Sequence, residues 1–328
     1  MITIVIVLIV LLALCFDFTN GFHDTANAIA TSVSTRALSP RAAVLLAGSM
    51  NLVGALTFTG VAKTIGGQIA NPLAIQHGTL VVLAALVAAI GWNLLTWYFG
   101  IPSSSSHALI GGLAGAVVGA DGLRAIDYHG FTSIIEALVI SPLIAFALGF
   151  VIMGIFRVLF GGMSPHRANR PFRTLQCFSA AAQAFMHGTN DAQKTMGVIT
   201  FALIAGGLQS TMNVPLWVKI LCALAMGVGT ATGGWRIIKT VGSKIIRIEP
   251  INGFASDLTS SAIIFGFTLL KLPVSSTHVI SSAIMGTGTA KRANQVHWGV
   301  AGRIVVAWLI TIPISACLAA VLIRLFLL

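Results

Sequence analysis

Apolar runs of about twenty residues recur along this chain, and that length matches the hydrocarbon core of a bilayer. Clear cases are Ala42–Val61, Thr79–Phe99, Phe131–Phe156, Val214–Gly234 and Val305–Leu328. A backbone inside lipid has no water to bond, so each run must satisfy its own amides by coiling into a helix. Charged residues make up 8% of the chain, against roughly 25% in a soluble domain. The sequence therefore predicts an all-α polytopic membrane protein with about ten hydrophobic segments. The first fifteen residues lack a basic n-region and an A-x-A cleavage site. They are expected to form the first arm of a span rather than a signal peptide.

One polar phrase interrupts this apolar chain twice. The first copy is Gly21-Phe22-His23-Asp24-Thr25-Ala26-Asn27, the second Gly188-Thr189-Asn190-Asp191-Ala192-Gln193-Lys194. Two further phrases repeat in the same order. Val61-Ala62-Lys63-Thr64-Ile65-Gly66 matches Ile237-Ile238-Lys239-Thr240-Val241-Gly242, and Pro102-Ser103-Ser104-Ser105-Ser106-His107 matches Pro273-Val274-Ser275-Ser276-Thr277-His278. A unit used twice is a common way to build a transporter. The predicted division is repeat 1 over 1–156, a basic cytoplasmic linker over 157–174, and repeat 2 over 175–328.

Loop charge orients the two halves. Ser34–Arg41 carries two basic residues and its counterpart Phe201–Asn213 none; Lys63–Gly78 carries one and Arg236–Pro250 four. The basic member switches halves, and positive loops face the cytoplasm. The expectation is an inverted repeat with both termini extracytoplasmic. Each half would hold a broken first span, an ordinary span, a re-entrant hairpin around the Pro/Ser phrase, and a final span. The linker contains four arginines, Ser164-Pro165 and Arg170-Pro171, which suit an irregular connector.

An isolated charge is costly at bilayer depth, so Asp24 and Asp191 are candidate functional groups. Asn27 and Lys194 follow them by three residues, on the same helix face. Gly21 and Gly188 would permit an unwound turn whose freed carbonyls, with the carboxylates, make a hard-oxygen site for Na⁺, Mg²⁺ or a proton. Asp24 and Asp191 are the candidate metal ligands, Asn51 is a further candidate cation ligand, and His23, Asn190 and Gln193 complete the phrases. Asp17 is expected to face the core from the first arm. Asp257 sits near a segment end, where it would meet water.

In the serine phrase, Pro102 would end one helix and Ser103–Ser106 begin a short one. Hydroxyls and free amides at a helix N-terminus form an anion site. The second tip, Ser275, Ser276 and Thr277, offers the same. Together they suit a tetrahedral oxyanion, and His107 and His278 could donate to it or carry protons. The four cysteines are isolated, so zinc and disulfide frameworks are not indicated. The net charge of +11 is loop charge of the positive-inside kind, and no soluble basic domain exists to bind nucleic acid.

The doubled aspartate phrase and doubled Pro/Ser phrase resemble the inorganic phosphate transporter (PiT) family over nearly the whole chain. That resemblance implies an inverted-repeat secondary transporter, homodimeric, with no cofactor, carrying phosphate with a cation. The family's aspartates fall on Asp24 and Asp191, and its hydroxyl-bearing tips on Ser103–Ser106 and Ser275–Thr277. The family's usual phrase has Asn before Asp and Asn three after it. His23 and Lys194 depart from it and resemble the bacterial low-affinity branch, associated with proton coupling or metal–phosphate uptake. A fixed ammonium at Lys194 would compete with Na⁺ beside Asp191.

Four rivals remain at the level of sequence, one of them a passive anion channel, which could not accumulate its substrate uphill. A sulfate permease of the same fold would bind a similar anion, and a sodium–phosphate symporter would keep the other branches' coupling. A serine hydrolase would use Ser106-His107 or Ser276-Thr277-His278. Adjacent residues on a helix point about 100° apart, which suits a nucleophile–base pair poorly.

Overall fold

The computed structural model describes residues 2–328; the side chains of Ile2, Thr25, Ala26, Asn27, Pro165, His166, Arg167 and Ala168 lie outside the described residues. Helices appear in the same order in each half. The first half holds α1 (Ile2–Ser34), α2 (Pro40–Ala55), α3 (Gly60–Gly67), α4 (Gly78–Phe99), α5 (Ser105–Asp121) and α6 (Tyr128–Phe160). The second holds α7 (Pro165–Ala205), α8 (Leu216–Thr232), α9 (Trp235–Lys239, continued by a π-helical turn over Thr240–Lys244), α10 (Pro250–Leu269), α11 (Ser276–Arg292) and α12 (Trp298–Phe326). A short 3-10 turn precedes the last helix of each half, at Leu123–Ala125 and Ala293–Gln295.

Hydrogen bonds repeat with the elements. Asp127 N donates to Ile69 O at 3.0 Å, and His297 N donates to Ile245 O at 2.9 Å. Across the halves, Thr64 Oγ1 donates to Lys271 O and Thr240 Oγ1 donates to Gly100 O. Those two acceptors are equivalent residues, and both have left-handed backbones, with φ of 61° at Lys271 and 64° at Gly100. The first helices of the halves run antiparallel. Asp17 of α1 meets Thr195 near the end of α7, whereas Thr35, just beyond α1, meets Gln176 near the start of α7. Each half also packs its short helix on the other half's last one: α5 lies on α12 and α11 on α6.

Four helices are long and apolar enough to cross a membrane, or six if each bent pair is one span, among the described residues. That is fewer than the ten segments expected. The shortfall lies in α7 and α10, which carry polar faces into the bundle, and in α5 and α11. Each of the latter has 17 residues and is buried nearly throughout. Their length of about 26 Å falls short of the hydrocarbon core. Around them, α6 and α12 turn Leu143, Val151, Leu309 and Leu318 outward, an apolar surface suited to lipid.

Two expectations are corrected. The break in each half is not at Gly21 or Gly188, because α1 and α7 run through those positions as continuous helices. The breaks lie one span later, with bends of 72° between α2 and α3 and 58° between α8 and α9. The glycines serve close approach instead. A Cβ at Gly21 would come 2.6 Å from Met226 O, and one at Gly188 would come 2.8 Å from Asn51 Cα. The linker is also mostly helical. Only Gly161–Ser164 separates α6 from α7, and Pro165 opens α7, where its missing amide costs nothing.

Gly100 has open space for a side chain, its Cβ meeting Arg236 Cβ at 3.6 Å. Gly100→Ala should therefore destabilise through the backbone alone, by about 1 kcal/mol. A lower thermal unfolding midpoint in detergent, with unchanged oligomer size by gel filtration, is the expected result.

Candidate functional site

The two aspartates meet at the centre of the bundle. Carboxylate oxygens of Asp24 and Asp191 and a ring nitrogen of His187 all lie within 4.8 Å of one another, and all three residues are buried. Like charges this close repel strongly. The surrounding groups show how the repulsion is met.

On the Asp24 side, His23 Nδ1 lies 2.8 Å from Asp24 Oδ1, and His23 Nε2 lies 3.2 Å from Thr96 Oγ1. Ser105 Oγ donates to Asp24 Oδ2 at 2.8 Å, and Thr277 Oγ1 donates to Oδ1 at 3.1 Å. On the Asp191 side, Ser276 Oγ donates to Oδ2 at 2.6 Å. His187, one helical turn earlier on α7, brings Nε2 to 2.8 Å from Asp191 Oδ2. Lys194 Nζ pairs with Asp191 Oδ1 and donates to Ser106 Oγ at 2.5 Å and to Val274 O at 2.6 Å.

The serine tips form as the N-termini of α5 and α11. Ser104 Oγ accepts from His107 N at 3.1 Å, and Ser275 Oγ accepts from His278 N at 3.3 Å. Of the hydroxyls that follow, Ser105, Ser276 and Thr277 reach the acids and Ser106 meets Lys194. The tips touch, because Ser106 Oγ donates to Val274 O at 3.2 Å. Ser103 is taken up by Thr96, its Oγ donating at 2.8 Å. Behind the tips, the rings of His107 and His278 pack with centroids 4.2 Å apart, and His278 stacks on Trp308 at 3.9 Å.

The other sequence candidates divide. Asn51 was expected to bind a cation; it reaches the pocket only through His187, whose Nδ1 is 2.8 Å from Asn51 Oδ1. Its amide nitrogen is held by Thr230. Gln193 points elsewhere and accepts from Val61 N and Ala62 N at the start of α3. Asn190 secures the turn before α11 through Val274 N, Thr268 and Leu272 O. The Asn27 side chain lies outside the described residues. His187 was missed as a site residue, although its spacing of four before Asp191 on a helix was a usable signal. Asn20 was missed likewise; its Oδ1 accepts from Ser105 Oγ at 2.6 Å.

Chemically, the pocket offers two carboxylates and an imidazole for a small cation or protons. Beside them stand a fixed ammonium and two helix N-termini for an anion. All these groups are buried from solvent, so the pocket is occluded.

Residues 20–319 match the family described as the phosphate transporter family. A "Probable low-affinity inorganic phosphate transporter" of Bacillus subtilis (strain 168) is 58% identical, covering 97% of this chain and 96% of the relative. A protein of the same description from Rhizobium meliloti (strain 1021) is 46% identical over 95% of this chain and 93% of its own. A solved structure described as the sodium-dependent phosphate transporter matches over 98% of each chain, with a TM-score of 0.89 and 23% identity. At that identity the likeness shows the fold.

Asp24→Asn removes one anionic ligand and keeps an oxygen for Ser105. Cation affinity of the purified protein, measured calorimetrically with Na⁺ and Mg²⁺ in separate titrations, should fall by at least about tenfold for the ion that binds.

Proposed function

This chain belongs to the phosphate transporter family, and on that premise we propose that it moves inorganic phosphate across the plasma membrane by cation-coupled secondary transport. The coupling cation is a proton, or a divalent metal travelling as its phosphate complex, rather than sodium. Asp24 and Asp191 bind the cation or proton. Ser105, Ser106, Ser276 and Thr277, with the free amides of α5 and α11, receive phosphate. The family is one of transporters, so no catalytic role is assigned to the serines or histidines.

The observation that carries this reading is Lys194. On the Asp24 side the cross-half hydroxyl of Thr277 donates straight to the carboxylate. On the Asp191 side the ammonium of Lys194 stands between Ser106, the equivalent hydroxyl, and the carboxylate. A sodium ion there would have to displace a charge already paired and hydrogen-bonded to Val274 O. Lys194 also offers phosphate a positive hydrogen-bond donor. The structural relative described as sodium-dependent shares the fold and does not decide the ion for this chain.

The proposal extends to the halves. Repeats 1–156 and 175–328 would be inverted across the membrane, with both termini outside and the arginine-rich 157–174 segment inside; the antiparallel α1 and α7 support this arrangement. Alternating access would then rock one repeat against the other around the fixed pocket. The homodimer implied by the family resemblance belongs to the same proposal.

Phosphate uptake into proteoliposomes, with pH, sodium and magnesium varied separately, tests the reading. Uptake should respond to the pH gradient or to magnesium and be indifferent to sodium, and excess sulfate should not compete. In the same assay Lys194→Asn should acquire sodium dependence. An unchanged ion requirement in that variant would remove the role given to Lys194.

A further inference from the structure

Two more buried acids lie on the seam between α1 and α7, one on each side of the central pair, and neither belongs to the repeated phrases. Asp17 is fully buried in α1. Its Oδ1 accepts from Thr195 Oγ1 at 2.5 Å, and its Oδ2 has no nitrogen or oxygen donor among the described residues. Asp257 of α10 is 1% exposed, not at a water-facing segment end as the sequence suggested. Thr31 of α1 donates to its Oδ1 at 2.7 Å and Ser179 of α7 to its Oδ2 at 2.8 Å. No lysine or arginine pairs with either acid among the described residues.

The spacing ties these acids to the pocket. On α1, Asp17, Asp24 and Thr31 recur every seven residues, which places them on one face about 10 Å apart. On α7, Ser179 meets Asp257, Asp191 lies beside Asp24, and Thr195 meets Asp17, so this helix touches the line at each station. On the two helices, Asn20 Nδ2 and Gln176 Nε2 are buried with no hydrogen-bond partner among the described residues. Such groups are costly to leave bare. Beyond Asp257 the seam reaches Thr35, which donates to Gln176 and lines a surface pocket of about 720 Å³ with Arg36 and Arg247.

We propose that the α1–α7 seam is the route of the coupling cation, a proton, with Asp17 and Asp257 as its stations on either side of Asp24 and Asp191. The inference rests on the proton coupling proposed above. Each station is a buried carboxyl with hydroxyl neighbours, a group that can take up a proton and pass it on. The proton that arrives at the Asp17 carboxylate leaves, one turnover later, from Asp257 to the Arg36–Arg247 face. Only O–H bonds form and break. The groups around Asp17 that bear on its charge are Cys222 on α8 and Lys194 and Asp191 on α7. The titratable groups on the elements packed against α10 include Asp24 on α1, Cys177 and His187 on α7, His278 and Lys291 on α11, Arg157 on α6 and Lys63 on α3. None of them bonds to Asp257 among the described residues. The stations break the two-fold relation of the halves. At the repeat offset, Asp17 corresponds to Ala184, and the stretch of α4 matching Asp257, Ala84–Leu86, carries no acid. A one-way sequence of stations needs that asymmetry.

The test separates exchange from net transport. Exchange of internal for external phosphate cycles only the loaded carrier, whereas net accumulation requires the proton to arrive on one side and leave on the other. Asp17→Asn and Asp257→Asn, reconstituted as full-length protein, should each lose at least about tenfold in pH-gradient-driven accumulation while exchange of labelled phosphate stays within about twofold. Because the stations act in series, the double variant should be no slower than the worse single one. Wild-type accumulation in either variant would overturn the proposal. So would an equal loss of exchange and accumulation, which marks a structural role. If the wild-type protein ignores the pH gradient, the coupling reading itself fails, and the route with it.

Discussion

Two carboxylates held together away from water dominate the energetics of this protein. Asp24 and Asp191 are each surrounded by apolar helices, and their oxygens share a space under 5 Å across with an imidazole. Neither charge is tolerable alone. The chain answers with hydroxyl donors from the far ends of both halves, two helix N-termini, and one buried lysine. Because the donors come from α5 and α11, the pocket exists only when both short helices are seated. Their seating depends in turn on α12 and α6, each from the opposite half. Site and fold are therefore one arrangement rather than a site placed on a scaffold.

The two halves solve the same electrostatic problem differently. Asp24 is met by His23 and by hydroxyls, groups that can give up their place or their proton. Asp191 is met by Lys194, by Ser276 and by His187, which Asn51 and Thr230 hold in line. The two acids thus meet different partners, hydroxyls and an imidazole at Asp24 and an ammonium-bearing side chain at Asp191.

Much of this was legible because repetition filters noise. The paired aspartate, lysine–threonine and serine phrases kept their order, and the structure gives equivalent partners to each: Ser105 on Asp24 and Ser276 on Asp191, Thr64 on Lys271 O and Thr240 on Gly100 O. What escaped was whatever depends on a partner far along the chain. Gly21 and Gly188 signalled a missing side chain, which serves an unwound turn and a close helix contact equally well. Only the positions of Met226 and Asn51 distinguish the two. Asn51 was visible as a buried amide, but its service to His187 was not. Asp257 was placed near a segment end and in water, yet α10 begins at Pro250 and carries the acid inside. Pro165 and Pro171 read as breakers of a linker, whereas the first turns of α7 absorb them.

A map of the protein with phosphate bound, from crystals or single particles in lipid, examines the central claim most directly. The account predicts tetrahedral density between Ser105–Ser106 and Ser276–Thr277, within hydrogen-bond reach of Lys194, with Asp24 and Asp191 still adjacent. Phosphate seated elsewhere, or the two acids separated across the membrane from one another, would contradict it.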